Sequence, residues 1–202
     1  MRPSHILSFV LLAACAAGAP PDRAPAPEAR PRAEARSSET AASTERAPSI
    51  YELPVGLRDA DGREIGLDVA RGGPVLIAMF YASCPVACPV LIDEMKHVVT
   101  ELEPDAQAKV RMLLVSFDPA RDTPAVLRTL ARERGLDDRW TVAVASDADA
   151  RALSAALGIK YRKLENGEFY HGATIVVLDP EGRPIARTDR PGQREAVVAA
   201  LR

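Results

Sequence analysis

The chain has 202 residues, of which 47% are hydrophobic and 27% charged, an ordinary composition for a soluble globular protein. Lysine and arginine number 26 against 28 aspartates and glutamates, which gives a formal net charge of -2. Because no basic block accompanies this balance, a nucleic-acid partner has no electrostatic support, and we predict none.

Residues 1–15 predict an export signal. Arg2 gives a short basic start, and the apolar run from Ile6 to Ala14 is too short to cross a bilayer, which takes about 20 residues. The run ends in LAAC, and small residues directly before Cys15 resemble the lipobox of bacterial lipoproteins, in which this cysteine carries the lipid. The alternative is an ordinary signal peptide cut nearby. Both interpretations predict export.

Residues 16–48 are expected to form a disordered tether. The segment is rich in alanine, proline and charges of both signs, and it has no aromatic and almost no large aliphatic side chain to bury. It therefore cannot offset the entropy lost on ordering. We expect an extended linker that holds a single folded domain, residues 49–202, away from a membrane surface.

Candidate strands and helices alternate through this domain. Continuous apolar runs predict strands buried on both faces, and apolar residues at helical spacing predict amphipathic helices. The predicted order is a hairpin at 57–65, a strand at 74–81, a helix from 89 that ends at Pro104, a strand at 111–118, a helix at 124–135, a strand from 140, a helix from 147, a strand from 172, a turn into a short strand near 183–188, and a terminal helix. This order fits an α/β, thioredoxin-like fold, with a central mixed sheet and flanking helices.

Cys84 and Cys88 directly follow the first buried strand, and each is followed by a proline. At the end of a strand, just before a helix, unpaired amide hydrogens and the helix dipole stabilise a thiolate. Pro89 lacks the amide hydrogen that would bond to the carbonyl of Pro85, so we predict a tight exposed loop and a helix that begins at Pro89. The two sulfurs then converge, which suits a disulfide or a metal ion.

Three interpretations of this pair compete. A permanent structural disulfide is disfavoured, because so short a loop constrains little of the unfolded chain. A thiol–disulfide reductase is favoured by export, but thioredoxin-type reductases have two residues between their cysteines and a cis-proline before the facing strand, and a peroxiredoxin-type peroxidase has a threonine where Tyr81 stands. A metal site needs a third donor, and imidazole beside two thiolates suits copper.

The chain has three histidines from which that donor could come. His5 leaves with the signal, and His97 lies off the apolar face of its helix, as expected of a surface residue. His171 follows a polar segment, KLENGEFY, that predicts a mobile loop, and it stands just before a buried strand. In a thioredoxin-like sheet the start of that strand lies beside the cysteine loop, so His171 is the candidate.

The motifs FYASCPVACP and VSFDPARDTP, followed by a histidine ahead of a strand ending in LDPEG, occur here in one order. From about Val55 onward the chain resembles the Sco/SenC family of membrane-anchored copper chaperones. The resemblance implies a copper site, for Cu(I), Cu(II) or both, made of Cys84, Cys88 and His171. It also implies delivery of copper to the dinuclear centre of cytochrome c oxidase. Ala82 and Gly172 stand where the family commonly has hydroxyl residues.

The resemblance leaves two functions open. A metallochaperone has no catalytic residue, whereas some family members are credited with reducing the cysteines of the dinuclear centre, which would make the protein a thiol–disulfide oxidoreductase. The expected partners are the copper-accepting subunit of the oxidase, a thiol reductant protein that opens a Cys84–Cys88 disulfide, and a membrane reached through lipid on Cys15. The expected location is the periplasmic side of the inner membrane.

Asp118 ends the second buried strand, near the predicted cysteine loop. The family link suggests that it orients a ligand or the loop without binding the metal. Against this, Asp-Pro at a strand end is a common turn, and the RDTP sequence after it is explained by a helix cap at Asp122 or Thr123. The two interpretations of Asp118 carry equal weight.

Overall fold

The computed structural model of the protein describes residues 47–202. The predicted signal, with His5 and Cys15, and residues 16–46 of the predicted tether lie outside the described residues. The helices are α1 (Ala87–Thr100), α2 (Pro104–Gln107), α3 (Pro124–Glu133), α4 (Asp147–Leu157) and α5 (Glu195–Ala200), and short 3-10 helices span Ile50–Glu52 and Leu67–Ala70. The strands are β1 (Gly56–Asp59), β2 (Glu64–Gly66), β3 (Val75–Phe80), β4 (Arg111–Ser116), β5 (Trp140–Ala145), β6 (Tyr161–Lys163), β7 (Phe169–His171), β8 (Ile175–Leu178) and β9 (Pro184–Thr188). Within residues 47–202, none of the helices combines the length and the apolar character needed to cross a bilayer.

The main sheet has seven strands in the order β2-β1-β5-β4-β3-β8-β9. Strands β3, β4 and β5 run parallel to one another, whereas β1 and β8 pair antiparallel with their neighbours. Every residue of β3 is buried, as its continuous apolar run predicts. The predicted α/β fold with a mixed central sheet and flanking helices is confirmed.

The pairing of β3 with β8 determines where the cysteines and His171 meet. The two strands are antiparallel, and Ala78 of β3 pairs with Ile175 of β8. The edge at which β3 ends is therefore the edge at which β8 begins. Residues that follow β3, including Cys84, come out beside residues that precede β8, including His171.

Helix α1 begins at Ala87, with Val86 as its N-cap, and not at Pro89 as predicted. That prediction assumed that residue 89 needs an amide hydrogen for the carbonyl of Pro85. The first amides of a helix have no acceptor within the helix, so a proline in the first turn loses no hydrogen bond. Cys88 consequently lies within the first turn of α1.

Residues 161–171 form a β-hairpin where the sequence predicts a mobile loop. Strands β6 and β7 make a separate two-stranded antiparallel sheet in which Tyr161 pairs with His171. The Leu164 amide donates to the carbonyl of Glu168 at 2.7 Å and closes the turn. The loop prediction is wrong because strands of three residues are too short to show alternation in the sequence. His171 is held in a strand.

Candidate metal centre

The cysteine segment, residues 81–88, connects β3 to the first turn of α1. The Cys84 amide donates to the carbonyl of Tyr81 at 3.2 Å, which makes a tight turn as predicted. Ser83 and Val86 are exposed, but the cysteines point inward, with exposed fractions of 8% for Cys84 and 2% for Cys88. The prediction of an exposed loop is therefore wrong for the sulfurs. Both residues are free thiols.

His171 lies at the end of β7 with its ring facing the two sulfurs. Its Nε2 is 3.5 Å from Sγ of Cys84 and 3.8 Å from Sγ of Cys88. One donor atom from each of the three residues lies within 4.8 Å of the others. The structure thus brings together the three residues that the sequence analysis proposed as ligands, whereas His97 is exposed on α1.

The orientation of the His171 ring leaves Nε2 available as a ligand atom. Nδ1 lies 3.1 Å from the carbonyl oxygen of Gly172, and because a carbonyl oxygen only accepts, Nδ1 carries the hydrogen. A neutral ring then has its lone pair on Nε2, toward the sulfurs. Tyr81 and Phe117 pack edge-on against the ring, with centroids at 5.4 and 5.6 Å.

The two thiols differ in acidity. Burial opposes ionisation of the Cys84 thiol, but hydrogen bonds with the His171 ring and with the amides of Cys88 and Val86 lower its pKa to about 6. These amides belong to the start of α1, where unpaired N–H groups stabilise an anion. Burial raises the pKa of the Cys88 thiol far above its usual range, and the Cys84 charge adds to the rise.

The three donors fit a soft metal ion. Two thiolates and one imidazole suit Cu(I) or zinc, and a three-coordinate site leaves a position for an incoming ligand. The residues present therefore fit the copper ion that the sequence predicts. Metal binding here requires Cys88 to lose its proton, because only the thiolate is a ligand.

Asp118 does not touch the cysteines. It is 2% exposed, and its carboxylate accepts a hydrogen bond from the Arg121 guanidinium. Its amide donates to Oγ of Ser116 at 3.0 Å. Asp118 can therefore influence the metal centre only through other residues, and Arg121 and Ser116 both lead toward it.

Asp122 contacts the cysteine segment directly, and the sequence analysis missed this role. Its Oδ2 accepts hydrogen bonds from the Ala82 amide at 2.9 Å and from the hydroxyl of Ser116. Burial raises the pKa of this carboxyl. The available signal was the ambiguous helix cap, because Thr123 caps α3 and leaves Asp122 to bind elsewhere.

A second polar contact joins the cysteine segment to the hairpin. The hydroxyl of Tyr81 donates to Glu168 at 2.9 Å, and Nη1 of Arg121 donates to the other oxygen of the same carboxylate at 3.0 Å. Tyr81 and Glu168 are separated by 87 positions in the chain. No local sequence pattern indicates such a pair.

A sheet of the thioredoxin-like type, with two thiols and an imidazole converging at one edge, defines a class of thiol-based metal-binding proteins. The sequence profile of the SCO1/SenC family matches residues 43–202. The chain belongs to this family.

Sequence and structure relatives agree with this assignment. Over 75 residues the chain is 32% identical to the mitochondrial protein SCO2 of Saccharomyces cerevisiae, a match that covers 37% of this chain and only 25% of the yeast protein. Bradyrhizobium japonicum ScoI with copper bound has a TM-score of 0.61 at 25% identity, covering 74% of this chain and 96% of that chain. Apo Sco1 from Thermus thermophilus has a TM-score of 0.59 at 28% identity, covering 72% and 87%.

Proposed function

We propose that the protein is a copper metallochaperone that binds one copper ion through Cys84, Cys88 and His171 and delivers it to the dinuclear copper centre of cytochrome c oxidase. The observation that carries the proposal is the convergence of three suitable donor atoms within 4.8 Å. Membership of the SCO1/SenC family supports it, as does the likeness to a ScoI structure with copper bound.

Loading requires both cysteines in the reduced state. Cys84 is a thiolate at neutral pH, because its pKa is about 6, whereas Cys88 releases a proton when the ion binds. Oxidation joins the two sulfurs in a disulfide, with loss of two electrons and of the remaining proton, and removes two of the three donors. A thiol reductant protein is therefore part of the proposal.

Transfer is proposed to proceed by ligand exchange that starts at His171. This residue is the most accessible of the three, since Cys84 and Cys88 are 8% and 2% exposed. A thiolate of the acceptor displaces the imidazole, and further acceptor ligands then replace the two sulfurs. The low coordination number leaves room for each incoming ligand.

The proposal includes export and attachment to the periplasmic side of the inner membrane. It is supported by the sequence of residues 1–15, which predicts a lipid on Cys15, and by the composition of residues 16–48, which suits a tether. The Cys15→Ser variant should move from the membrane fraction to the soluble fraction. Retention of that variant in the membrane fraction would refute anchoring through Cys15.

Copper titration of the purified, reduced chain tests the binding step. We expect one copper per chain and a thiolate-to-Cu(II) charge-transfer absorption, both lost in Cys84→Ser and in His171→Ala. His97→Ala is the matched control, since His97 is exposed on α1 and should keep both signals. Full copper affinity in the His171 variant would overturn the ligand assignment.

The unequal acidity of the cysteines favours a second candidate function, that of a thiol–disulfide reductase. The Cys84 thiolate would attack a partner disulfide and form a mixed disulfide, and Cys88 would then lose its proton and displace the partner's second sulfur. The partner gains two electrons, and Cys84 and Cys88 become a disulfide. His171→Ala should abolish copper binding but retain this activity, with its pH dependence moved to higher pH because the imidazole no longer lowers the pKa of Cys84.

A further inference from the structure

The β6–β7 hairpin carries a metal ligand but has little structure of its own. Its two strands have three residues each and form a sheet separate from the main one. An isolated two-stranded hairpin is marginally stable in water. The position of His171 therefore depends on contacts between the hairpin and the rest of the domain.

One group of these contacts is aromatic. Phe117, which follows β4, stacks on Tyr161 of β6 at a centroid distance of 4.4 Å and packs edge-on against Phe169 of β7 at 5.0 Å. These contacts hold the base of the hairpin against the domain. Stacked rings tolerate sliding, so they restrain the distance of the hairpin better than its register.

The other contact is polar and directional, and Glu168 makes it. Its two carboxylate oxygens accept from different partners, one from the hydroxyl of Tyr81 at 2.9 Å and one from Nη1 of Arg121 at 3.0 Å. Tyr81 is itself only 3% exposed and stands at the start of the cysteine segment. Glu168 precedes His171 by one short strand, so it joins the two halves of the metal centre.

The partners of Glu168 are themselves held in place. Arg121 also donates to the buried carboxylate of Asp118, and its guanidinium lies over the rings of Tyr81 and Phe169 at 5.4 and 5.8 Å. The side chains of Arg121 and Glu168 are 36% and 40% exposed, so the ion pair alone would add little stability. Because two partners fix the Glu168 carboxylate from different directions, its contribution is to orient the hairpin that carries it.

We propose that Glu168 is a positioning residue of the metal centre, whose carboxylate, fixed by Tyr81 and Arg121, holds the β6–β7 hairpin and with it the ring of His171 against Cys84 and Cys88. The part of this inference that concerns copper rests on the proposed function. Asp118 acts at one remove, because it anchors Arg121. Release of Glu168 frees the hairpin and moves the imidazole away from the sulfurs.

The first test needs no metal. Diethyl pyrocarbonate modifies accessible imidazole rings, and mass spectrometry of the reduced, metal-free full chain reports the rates at His171 and His97 separately. In Glu168→Ala, His171 should react several-fold faster than in the unmodified sequence, while the exposed His97 serves as an internal reference. Equal His171 rates in the two proteins would overturn the proposal, whatever the chain binds.

The matched control is Glu165→Ala. Glu165 lies on the same hairpin turn, is exposed, and its side chain makes no hydrogen bond to any other described residue. Its removal should change neither the His171 rate nor the denaturant midpoint. Glu168→Gln keeps an acceptor for Tyr81 and should give an intermediate His171 rate. A Glu165 effect as large as the Glu168 effect would show that the turn, and not the carboxylate, is responsible.

The second test measures copper. Residues that orient a metal ligand typically change affinity by about ten- to a hundred-fold when removed. Glu168→Ala should therefore bind copper about ten- to a hundred-fold more weakly than Glu165→Ala. Its thiolate-to-Cu(II) charge-transfer absorption at saturating copper should also differ from that of Glu165→Ala, because the imidazole is no longer held against the ion. Weaker binding with an unchanged spectrum would refute action through His171. Failure of the unmodified chain to bind copper would refute the proposed function and leave the metal-free test to decide the role of Glu168.

Discussion

Cys84 lies in the turn before α1 and Cys88 in the first turn of that helix, yet their thiols are in opposite environments. Cys84 accepts hydrogen bonds from amides of the helix start and lies in hydrogen-bond contact with the His171 ring, whereas Cys88 is 2% exposed and shielded from water. An anion is stabilised at the first position and destabilised at the second. The Cys84 sulfur is therefore a thiolate at neutral pH, whereas Cys88 keeps its proton until a metal ion or a reaction partner displaces it.

Alkylation of the reduced, metal-free protein should show this difference. With a pKa of about 6, roughly nine-tenths of Cys84 is thiolate at pH 7. Iodoacetamide should label Cys84 first, at a rate that falls as the pH is lowered through 6, because protonation removes the nucleophile. In His171→Ala the titration of Cys84 should move to higher pH. Peptide mass spectrometry measures both rates, and earlier labelling of Cys88 would contradict the assignment.

Asp122 shows how a buried carboxylate can hold a metal-binding segment without touching the metal. It is 1% exposed and accepts hydrogen bonds from the amide of Ala82, within the cysteine segment, and from the hydroxyl of Ser116 at the end of β4. Ser116 is fully buried and Ala82 is half-buried, so removal of the carboxylate takes the acceptor away from a hydroxyl and an amide that have little access to water. The geometry of the cysteine segment, which follows β3, thus depends on Asp122 in the loop that follows the neighbouring strand β4.

Replacing Asp122 with alanine should destabilise the domain. Leaving buried donors unsatisfied costs about 1–3 kcal/mol, and urea unfolding of the metal-free protein should show a loss of this size. Asp138→Ala is the matched control, since Asp138 is exposed on the loop before β5. Asp122→Asn retains an acceptor oxygen and should recover part of the loss. Equal unfolding midpoints for the Asp122 and Asp138 alanine variants would refute this role.

At the scale of elements, long segments were predictable and short ones were not. The buried strand β3 and the helix α3 carry many residues with one pattern, so their apolar runs and caps identify them in the sequence. The strands β6 and β7 have three residues each, and only their pairing in the structure identifies them as strands. The start of α1 was misplaced because Pro89 was treated as an interior helical residue.

The candidate site divides in the same way. Cys84 and Cys88 stand out by spacing and by their place after a buried strand, and His171 by its place before another strand together with the family resemblance. The roles of Glu168 and Asp122 could not be predicted from spacing or position in the sequence, because their hydrogen-bond partners come from distant segments that meet only in the folded domain. Local sequence patterns therefore identify the candidate metal ligands but not the side chains that orient those ligands.

The turn of the β6–β7 hairpin provides a test at this scale. Gly167 has a φ of 82° and open space around the position of an added Cβ, so Gly167→Ala introduces backbone strain and no clash. The strain of a left-handed conformation is roughly 1–2 kcal/mol, which is about a five- to thirty-fold change in the population of the closed hairpin. Hydrogen exchange of the hairpin amides should accelerate by up to this factor, and copper affinity should fall with it.

Gly56→Ala supplies the control for this prediction. Gly56 also has open space around its Cβ position, but its φ lies outside the left-handed region. The substitution should leave both the exchange of the hairpin amides and the copper affinity unchanged. A copper affinity in the Gly167 variant equal to that of the Gly56 variant would mean that the hairpin does not control the position of His171.

For the whole molecule, ligand binding and folding are coupled, because the three donors come from segments that converge only in the folded domain. A ligand that binds only the folded state stabilises it by about 2.7 kcal/mol when its free concentration is a hundred times its dissociation constant. Cu(I) at that excess should raise the unfolding free energy of the reduced protein by this amount. The oxidised protein, with its sulfurs joined, should gain little, and an equal gain in both forms would contradict binding at this site.

The chain separation of the donors has a consequence for the timing of biosynthesis. Cys84 and His171 are 87 positions apart, and the strand that brings them to one edge, β8, follows the histidine. A growing polypeptide displays both sulfurs while the imidazole has yet to be synthesised. The complete three-ligand site can therefore form only after almost the entire domain has been synthesised, so a bound copper ion indicates that the chain is complete through β8 and folded.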